Sequence, residues 1–177
     1  PEIINNIIIE VDNNATPIIL EFLEQSILLG CKHIEIRAYE GFPHSKIQAI
    51  LKKTEDTKIK SINIYCKYTK DEDLIISKSL KNENSRIENF ILHSFPNDDI
   101  NNRVENDKFS DKIIITKQKI NDNSHCGQIH KNDFRSNIKL FTESKNFNNC
   151  LNKKITLDNN GEVRNCPSLK LSYGKFQ

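Results

Sequence analysis

Two cysteines near the end of the chain, Cys150 and Cys166, are spaced in a way that could hold a metal ion or an inorganic cluster. Ten residues separate Cys150 from Gly161, and four separate Gly161 from Cys166. The segment between them reads KITLD, NNG and EVRNC, two alternating runs around an Asn-Gly step. This pattern predicts a β-hairpin, because Asn and Gly tolerate the positive φ of a tight turn. The fold-back should bring the two thiols close together, as half of a site that usually needs four ligands.

A third cysteine, Cys126, lies 24 positions before the first of this pair and is followed by a glycine. Glycine lets the backbone approach a cluster closely and leaves amides free to bond its sulfurs, so Cys126 is a further candidate ligand. His125 and His130 could join it in a zinc site, although such histidines are more often exposed loop residues. The other two cysteines, Cys31 and Cys66, stand in apolar contexts and are interpreted as core thiols.

The last third of the chain resembles a SPASM domain, the auxiliary iron–sulfur domain of radical-SAM peptide maturases. The segments that carry the resemblance are, in order, HCGQIH, FTES, CLNKKITLDNNGEVRNCPS and SYG. They are similar in particular to the SPASM-domain maturases of grasp-with-spasm systems, whose partner is an ATP-grasp ligase. The resemblance implies that Cys126, Cys150 and Cys166 bind an iron–sulfur cluster of the 4Fe–4S type, with zinc as the alternative.

A SPASM domain continues with a second, denser group of cysteines. This sequence ends at Gln177 before such a group, so we expect it to be a piece of a longer protein whose fourth ligand lies beyond it. By resemblance, the protein is expected to be an accessory maturase for a ribosomally synthesised peptide. It would bind the precursor peptide and an auxiliary cluster beside the ligase.

The cysteine motif of radical-SAM enzymes is not visible. Those enzymes hold their catalytic cluster with Cys, three residues, Cys, two residues, Cys, in the loop after the first barrel strand. The corresponding loop here, residues 12–17, reads DNNATP, and no two cysteines are closer than sixteen positions. If residues 6–11 are the first strand, the protein is expected not to cleave S-adenosylmethionine. The alternatives are an active radical-SAM peptide-modifying enzyme whose catalytic cysteines lie outside this chain, and a zinc-stabilised binding module.

The elements that would position these residues form a repeating strand–helix pattern. Apolar β-branched runs recur with a period of 27 or 28 residues, which is typical of βα units in a parallel sheet. The predicted strands cover residues 6–11, 33–37, 60–66, 87–92 and 112–116. Thr16 is expected to cap the first helix, with Pro17 in its first turn and Gly30 at its end. Further helices are predicted at 44–54 and 71–81, and 98–107 is predicted to be a loop or a poor helix.

The fold class is therefore α/β: a partial parallel (β/α) barrel or an open sheet, followed by a small cysteine-bearing region with a β-hairpin. Composition changes near residue 121, where Asn, Ser and Lys become frequent. We place a domain boundary at 120–124. Residues 1–120 would form a degenerate radical-SAM-like domain, and 121–177 the front part of a SPASM domain.

Several polar residues fall near the carboxyl ends of the predicted strands, where ligands bind in α/β folds. The favoured interpretation for them is ordinary solvated loop chemistry rather than a ligand site. These residues are Arg37, Tyr39, Lys67, Tyr68 and His93.

The charge balance limits the classes of partner. Lys and Arg total 26 against 24 acidic residues, so no basic field favours nucleic acid. Apolar runs stay well below the ~18 residues that span a bilayer, so no membrane partner is predicted. An odd number of cysteines without a visible signal peptide favours the reducing cytoplasm over a disulfide framework.

Overall fold

The computed structural model describes residues 3–96, 113–123, 138–148 and 150–177. These ranges contain seven strands and four helices in an α/β arrangement. The strands are β1 (Asn6–Glu10), β2 (His33–Ala38), β3 (Ser61–Lys67), β4 (Ile87–His93), β5 (Ile113–Ile115), β6 (Lys154–Leu157) and β7 (Val163–Arg164). The helices are α1 (Thr16–Leu28), α2 (His44–Lys53), α3 (Asp71–Glu83) and α4 (Ile138–Ser144).

The strands of the described ranges form one sheet with the order β5-β4-β3-β2-β1-β6-β7. Strands β1 to β5 follow one another outward in parallel pairs. On the other side of β1 lies β6, also parallel, with Ile7 opposite Ile155. The edge strand β7 runs antiparallel to β6 and closes the hairpin. Strand β1 is therefore paired along both of its edges.

Helices α1, α2 and α3 pack on the same face of this sheet. Their buried residues, such as Leu23, Ile50 and Leu80, belong to one apolar cluster with alternate residues of the strands, such as Ile36 and Ile64. Right-handed crossovers that all advance in one direction place their helices on one side, as in a (β/α) barrel. The core of the molecule thus lies between the three helices and one face of the sheet.

The predicted βα units are confirmed. All five strands predicted in the first 120 residues are present to within two residues at each end. Pro17 lies in the first turn of α1, and Gly30 follows the helix with a φ of +97°. The capping residue was wrong by one position: Ala15, not Thr16, precedes the first turn, and the helix begins at Thr16. The predicted loop at 98–107 lies outside the described residues.

The opposite face of the sheet carries mostly polar side chains, and we call it the polar face. Its members alternate with the core residues along each strand, because successive side chains point to opposite sides. Asn63 Oδ1 accepts a hydrogen bond of 2.9 Å from Asn89 Nδ2, and His33 Nδ1 lies 2.8 Å from Ser61 Oγ. The polar face comprises Asn6, Ile8, Glu10, His33, Glu35, Arg37, Ser61, Asn63, Tyr65, Asn89, Ile91, Lys154 and Thr156.

The predicted hairpin is present as β6 and β7, and Gly161 has the positive φ, +74°, that its turn requires. Sequence analysis did not foresee that this hairpin extends the sheet of the βα units through β1. The order of the strands agrees with an open parallel sheet whose edges, among the described residues, are β5 and β7. The domain boundary at 120–124 and the SPASM character of the second region stay predictions.

Among the described residues, none of the helices is both long enough and apolar enough to cross a membrane.

Candidate functional site

The two cysteines of the hairpin lie in different environments. Cys150 is exposed in a turn just before β6, with Lys154 Nζ 3.7 Å from its sulfur. Cys166 is buried two residues after β7. Asn165 Nδ2 donates hydrogen bonds to Leu151 O (3.0 Å) and Lys154 O (2.5 Å), which ties the segment before Cys166 to the turn that carries Cys150. The hairpin thus brings the two cysteine-bearing segments together.

These thiols do not form a complete metal site in the part of the chain that the structure describes. There, no group of three or more His, Cys, Asp or Glu side chains is arranged to hold a metal ion. The third predicted ligand, Cys126, lies outside the described residues, as do His125 and His130. The ligand set of Cys126, Cys150 and Cys166 therefore stays a prediction. The two cysteine-bearing segments lie close together, which fits a shared site for Cys150 and Cys166. The two thiols are unequally buried, which does not fit such a site.

The core assignment of the two early cysteines is confirmed. Cys31 and Cys66 are both buried within the apolar cluster. Burial raises the pKa of the Cys31 thiol to about 11, and burial also raises the pKa of Cys66. Thiols that resist ionisation are poor metal ligands, because it is the thiolate that binds.

A second cluster of functional groups lies at the carboxyl ends of β1, β2 and β6, centred on Glu10. The carboxyl of Glu10 is buried and accepts hydrogen bonds of 2.9 Å from Tyr39 Oη and from the backbone N–H of Asn159. Asn14 Nδ2 donates to Glu10 O and to Asp158 O, both at 2.7 Å. This amide spans the gap between β1 and the hairpin. The connection after β1 leads to β2, and the connection after β6 is the tight turn to β7 on the other side of β1.

Burial dominates the electrostatics of Glu10. Desolvation raises its pKa above the ordinary value, and nearby Asp158 adds to this, while the hydrogen bonds from Asn159 and Tyr39 and the charge of Arg37 oppose it. Burial alone would lower the pKa of Arg37, but Glu35 and Tyr39 outweigh it and the pKa is raised. Arg37 is therefore a permanent buried cation next to a carboxyl that resists ionisation.

Asp158 organises the hairpin turn. Its buried carboxylate accepts hydrogen bonds from the backbone N–H groups of Asn160 (2.8 Å) and Glu162 (3.0 Å). Its other oxygen pairs with Arg164 Nε at 2.6 Å. Arg164 also pairs with Glu162. These contacts fix the turn at the point where it meets Asn14 and Glu10.

The loop after β1 is closed by its own polar groups. The carboxylate of Asp12 accepts hydrogen bonds from the backbone N–H groups of Tyr39 (2.6 Å) and Glu40 (3.2 Å). Lys46 Nζ, from α2, donates to Val11 O (2.7 Å) and Asp12 O (2.8 Å). These contacts join the loop after β1 to the next βα unit.

The residues predicted at the carboxyl ends of the strands are not all solvated. Arg37, Tyr39 and His93 are buried, which corrects the expectation of loop chemistry for these three. His93 Nε2 lies 3.1 Å from Ala38 O, across the end of β3. Lys67 and Tyr68 are partly exposed. Tyr39 bonds Glu10 and His93 bonds Ala38 on other strands, whereas Arg37 pairs with Glu35 on its own strand.

Sequence analysis missed Glu10, Asn14, Asp158 and Asn159. A signal was present: both IIIE and KITLD place an acid directly after an apolar strand. An acid in that position lies at the carboxyl edge of a parallel sheet. That two such acids would meet depended on the pairing of β1 with β6, which nothing in the local sequence indicates.

Three buried polar atoms among the described residues have no hydrogen-bond partner. They are Arg37 Nη1, Thr156 Oγ1 and Asn159 Oδ1. Arg37 and Thr156 lie on the polar face on either side of β1, and Asn159 follows β6 in the hairpin turn. Buried polar atoms are rarely left without a partner, and such atoms are commonly satisfied by a ligand or an ordered water.

Comparison of the chain with protein-family models, with curated proteins and with solved structures gave no match.

Proposed function

We propose that this protein is an accessory maturase for a ribosomally synthesised peptide. It binds the precursor peptide and an auxiliary iron–sulfur cluster in the cytoplasm, beside an ATP-grasp ligase that forms the new bond. Cys126, Cys150 and Cys166 supply ligands, with zinc as the alternative metal. The proposal rests on the resemblance of the cysteine-bearing region to SPASM-domain maturases, and it includes that the protein does not cleave S-adenosylmethionine.

The surroundings of β1 give this last point its support. In a barrel whose first strand lay upstream, that strand would pair with the free edge of β1. Here β6 fills that edge, with Ile9 opposite Leu157. The loop after β1 contains no thiol and is closed by Asp12 and Lys46. Both features favour β1 as the counterpart of the strand after which a radical-SAM enzyme holds its catalytic cluster. Because no thiol follows β1, they also favour a protein without that cluster.

The hairpin supports the cluster part of the proposal. Asn165 joins the segments that carry Cys150 and Cys166, and the exposed side of Cys150 leaves room for further ligands. When bound, an iron–sulfur cluster would supply a rigid cross-link or an electron-transfer centre. The chain's own contribution is to hold two thiolates at the base of one hairpin.

Anaerobic reconstitution with iron and sulfide tests the cluster. We expect the full-length protein to gain iron, acid-labile sulfide and visible absorbance, and Cys150→Ser or Cys166→Ser to lose most of all three. Cys31→Ala is the matched control, because this core thiol should not contribute. Equal loading of all four proteins would contradict the proposal. Binding of zinc without visible absorbance would favour the zinc-stabilised module.

Reductive cleavage of S-adenosylmethionine tests the active-enzyme alternative. The cluster-loaded, full-length protein should form no 5′-deoxyadenosine above a cluster-free control. Multiple turnovers would favour a radical-SAM enzyme. Calorimetric titration with a synthetic candidate precursor peptide should give saturable binding if the accessory role holds.

A further inference from the structure

The segment after the hairpin, residues 172–176, lies along the outer edge of β7, and we call it the strap. Val163 N–H donates to Gly174 O at 2.8 Å, and Tyr173 N–H donates to Val163 O at 2.8 Å. An antiparallel bridge lies next to these contacts, so the strap runs opposite to β7. The strap is thus a short peptide segment bound through its backbone to an edge of the sheet.

One aromatic side chain anchors the strap. The ring of Phe176 stands edge-on to buried Phe22 of α1, with 5.4 Å between the ring centroids and 87° between the ring planes. It packs against the apolar core, as Val163 of β7 also does. The backbone N–H of Phe176 donates to Gly161 O at 2.9 Å. Helix α1 and the hairpin therefore hold this aromatic residue between them.

A glycine sets the path of the strap. Gly174 has a φ of +111°, a conformation that residues with side chains rarely adopt. Its N–H is bonded to Ser172 Oγ at 3.0 Å, and its carbonyl accepts from Val163 N–H. A segment that follows this path therefore needs glycine two positions before the aromatic anchor, Phe176. This requirement adds a sequence preference to the backbone pairing.

The strap is held by few buried contacts. None of its five residues is buried, and Tyr173 is 66% exposed. Segments with few buried apolar contacts and exposed backbone hydrogen bonds open more easily than the core. The chain just before the strap has its own attachment, because Arg164 Nη1 donates to Leu169 O (2.9 Å) and Lys170 O (2.8 Å). The strap can therefore detach and free the edge of β7 while the preceding chain stays in place.

We propose that the edge of β7 and the adjoining side of α1 at Phe22 form an acceptor site for a peptide segment with glycine two positions before an aromatic residue, and that the strap occupies this site in cis. The incoming backbone adds a strand to the sheet edge, and the aromatic ring supplies the anchor. The inference deepens the proposed function, on which it rests for the source of the incoming segment, the precursor peptide. The strap competes with that segment and lowers its apparent affinity.

A synthetic copy of residues 172–177, labelled with fluorescein, tests the site in the intact protein by fluorescence anisotropy. Phe176→Ala should bind this probe roughly tenfold more tightly than the wild type, because its own strap has lost the anchor and competes less. The variant should fold, since no residue of the strap is buried. Tyr173→Ala is the matched control: it removes an exposed ring from the same strap and should bind the probe as weakly as the wild type. Equal affinity of all three proteins would refute the site.

The position of the bound probe and its sequence preference are measured separately. In ¹⁵N-labelled Phe176→Ala, the amide resonance of Val163 should return towards its wild-type position as the probe binds, because the probe restores the hydrogen bond from that N–H. Probes with alanine in place of the glycine or of the phenylalanine should bind roughly tenfold more weakly. Binding that leaves the Val163 resonance unchanged, or that is the same for all three probes, would overturn the proposal.

Competition with the candidate precursor peptide separates this inference from the proposed function. If the precursor binds the protein but the strap copy does not displace it, the precursor is the wrong source of the segment and the accessory role stands. If the strap copy binds Phe176→Ala as expected but the precursor binds neither protein, the site stands and the accessory role is wrong. Wild-type dimers that Phe176→Ala abolishes would show that a second copy of the chain supplies the segment, which would overturn the precursor as its source.

Discussion

The two faces of the sheet are made by the same strands but differ in chemistry. On one face, residues such as Ile36 and Ile64 form a continuous apolar layer under three helices. On the other, the neighbours Glu35, Arg37 and Asn63 are polar; Glu35 and Asn63 are partly exposed, and Arg37 is buried. Parallel sheets usually bury both faces in apolar contacts. The difference indicates that apolar packing on the helix-covered face supplies most of the stability of the fold, whereas hydrogen bonds and ion pairs join residues of the polar face.

Adjacent residues on β3 offer the sharpest test of this difference. Ile64→Ala should lower the free energy of unfolding by about 2–5 kcal/mol, because it opens a cavity in the core. Asn63→Ala should lower it by about 0.5–1.5 kcal/mol, since it removes one partly buried hydrogen bond to Asn89. Urea unfolding of both variants measures the contrast. Equal losses would mean that the two faces share the stabilising role.

Substitution of Asp158 tests whether the hairpin and the βα units unfold cooperatively, as one unit. Asp158→Ala removes a buried carboxylate that holds two turn N–H groups and Arg164, and should lower the free energy of unfolding by about 3 kcal/mol. Asn160→Ala, at an exposed position in the same turn, is the control. Because β6 pairs with β1, hydrogen exchange should rise in both strands. A rise confined to the hairpin would favour two separate domains, as the composition change near residue 121 predicts.

The local elements were predictable because their signals are local. Runs such as IIIE and INIYC specify strands by themselves, and Ile47, Ile50 and Leu51 mark the buried face of α2 within one turn. The pairing of β1 with β6 joins residues 6–9 to residues 154–157, and no short-range pattern encodes such a contact.

The candidate site was only partly predictable for the same reason. Arg37 and Tyr39 could be assigned to the end of a strand, but their burial depends on the neighbours that the long-range pairing supplies. Glu10 is buried partly because Asn159 reaches it from the hairpin. The spacing of Cys150 and Cys166 predicted their hairpin, but a cysteine pattern does not specify how deeply each thiol is buried.

The buried carboxyl of Glu10, on the polar face, should make the stability of the protein depend on pH. Its pKa in the folded protein is raised, chiefly by burial, above the ordinary value of 4.5, so the fold favours the protonated form. Its contribution to stability is therefore full below pH 4.5 and is lost as the pH rises through the raised pKa. Glu10→Gln cannot ionise, can accept from Asn159 N–H and can donate to Tyr39 Oη. The free energy of unfolding of Glu10→Gln should therefore rise relative to that of the wild type as the pH is raised from 4.5 to neutrality.

Thermal unfolding at a series of pH values measures this difference. The exposed acid Glu40 provides the control, and Glu40→Gln should follow the wild-type profile. The charges next to Glu10 are Asp158 and Arg37, and both remain in the variant. A wild type that gains stability relative to Glu10→Gln on going to neutral pH would show that the carboxylate is the form that the fold favours.

Substitution of the Asn63–Asn89 pair should change the free energy of unfolding least. It tests whether the fold requires polar side chains on this face. Asn89→Leu alone should cost about 1 kcal/mol, because it leaves the amide of Asn63 to partly exposed surroundings. The double variant Asn63→Leu/Asn89→Leu removes both partners and should regain most of that loss, since apolar replacement of a whole pair is nearly neutral. A double-mutant cycle by urea unfolding measures the coupling. A double variant that unfolds at much lower urea than either single variant would mean that the polar face also contributes specifically to stability, and the assignment of most of the stability to the helix-covered face would fail.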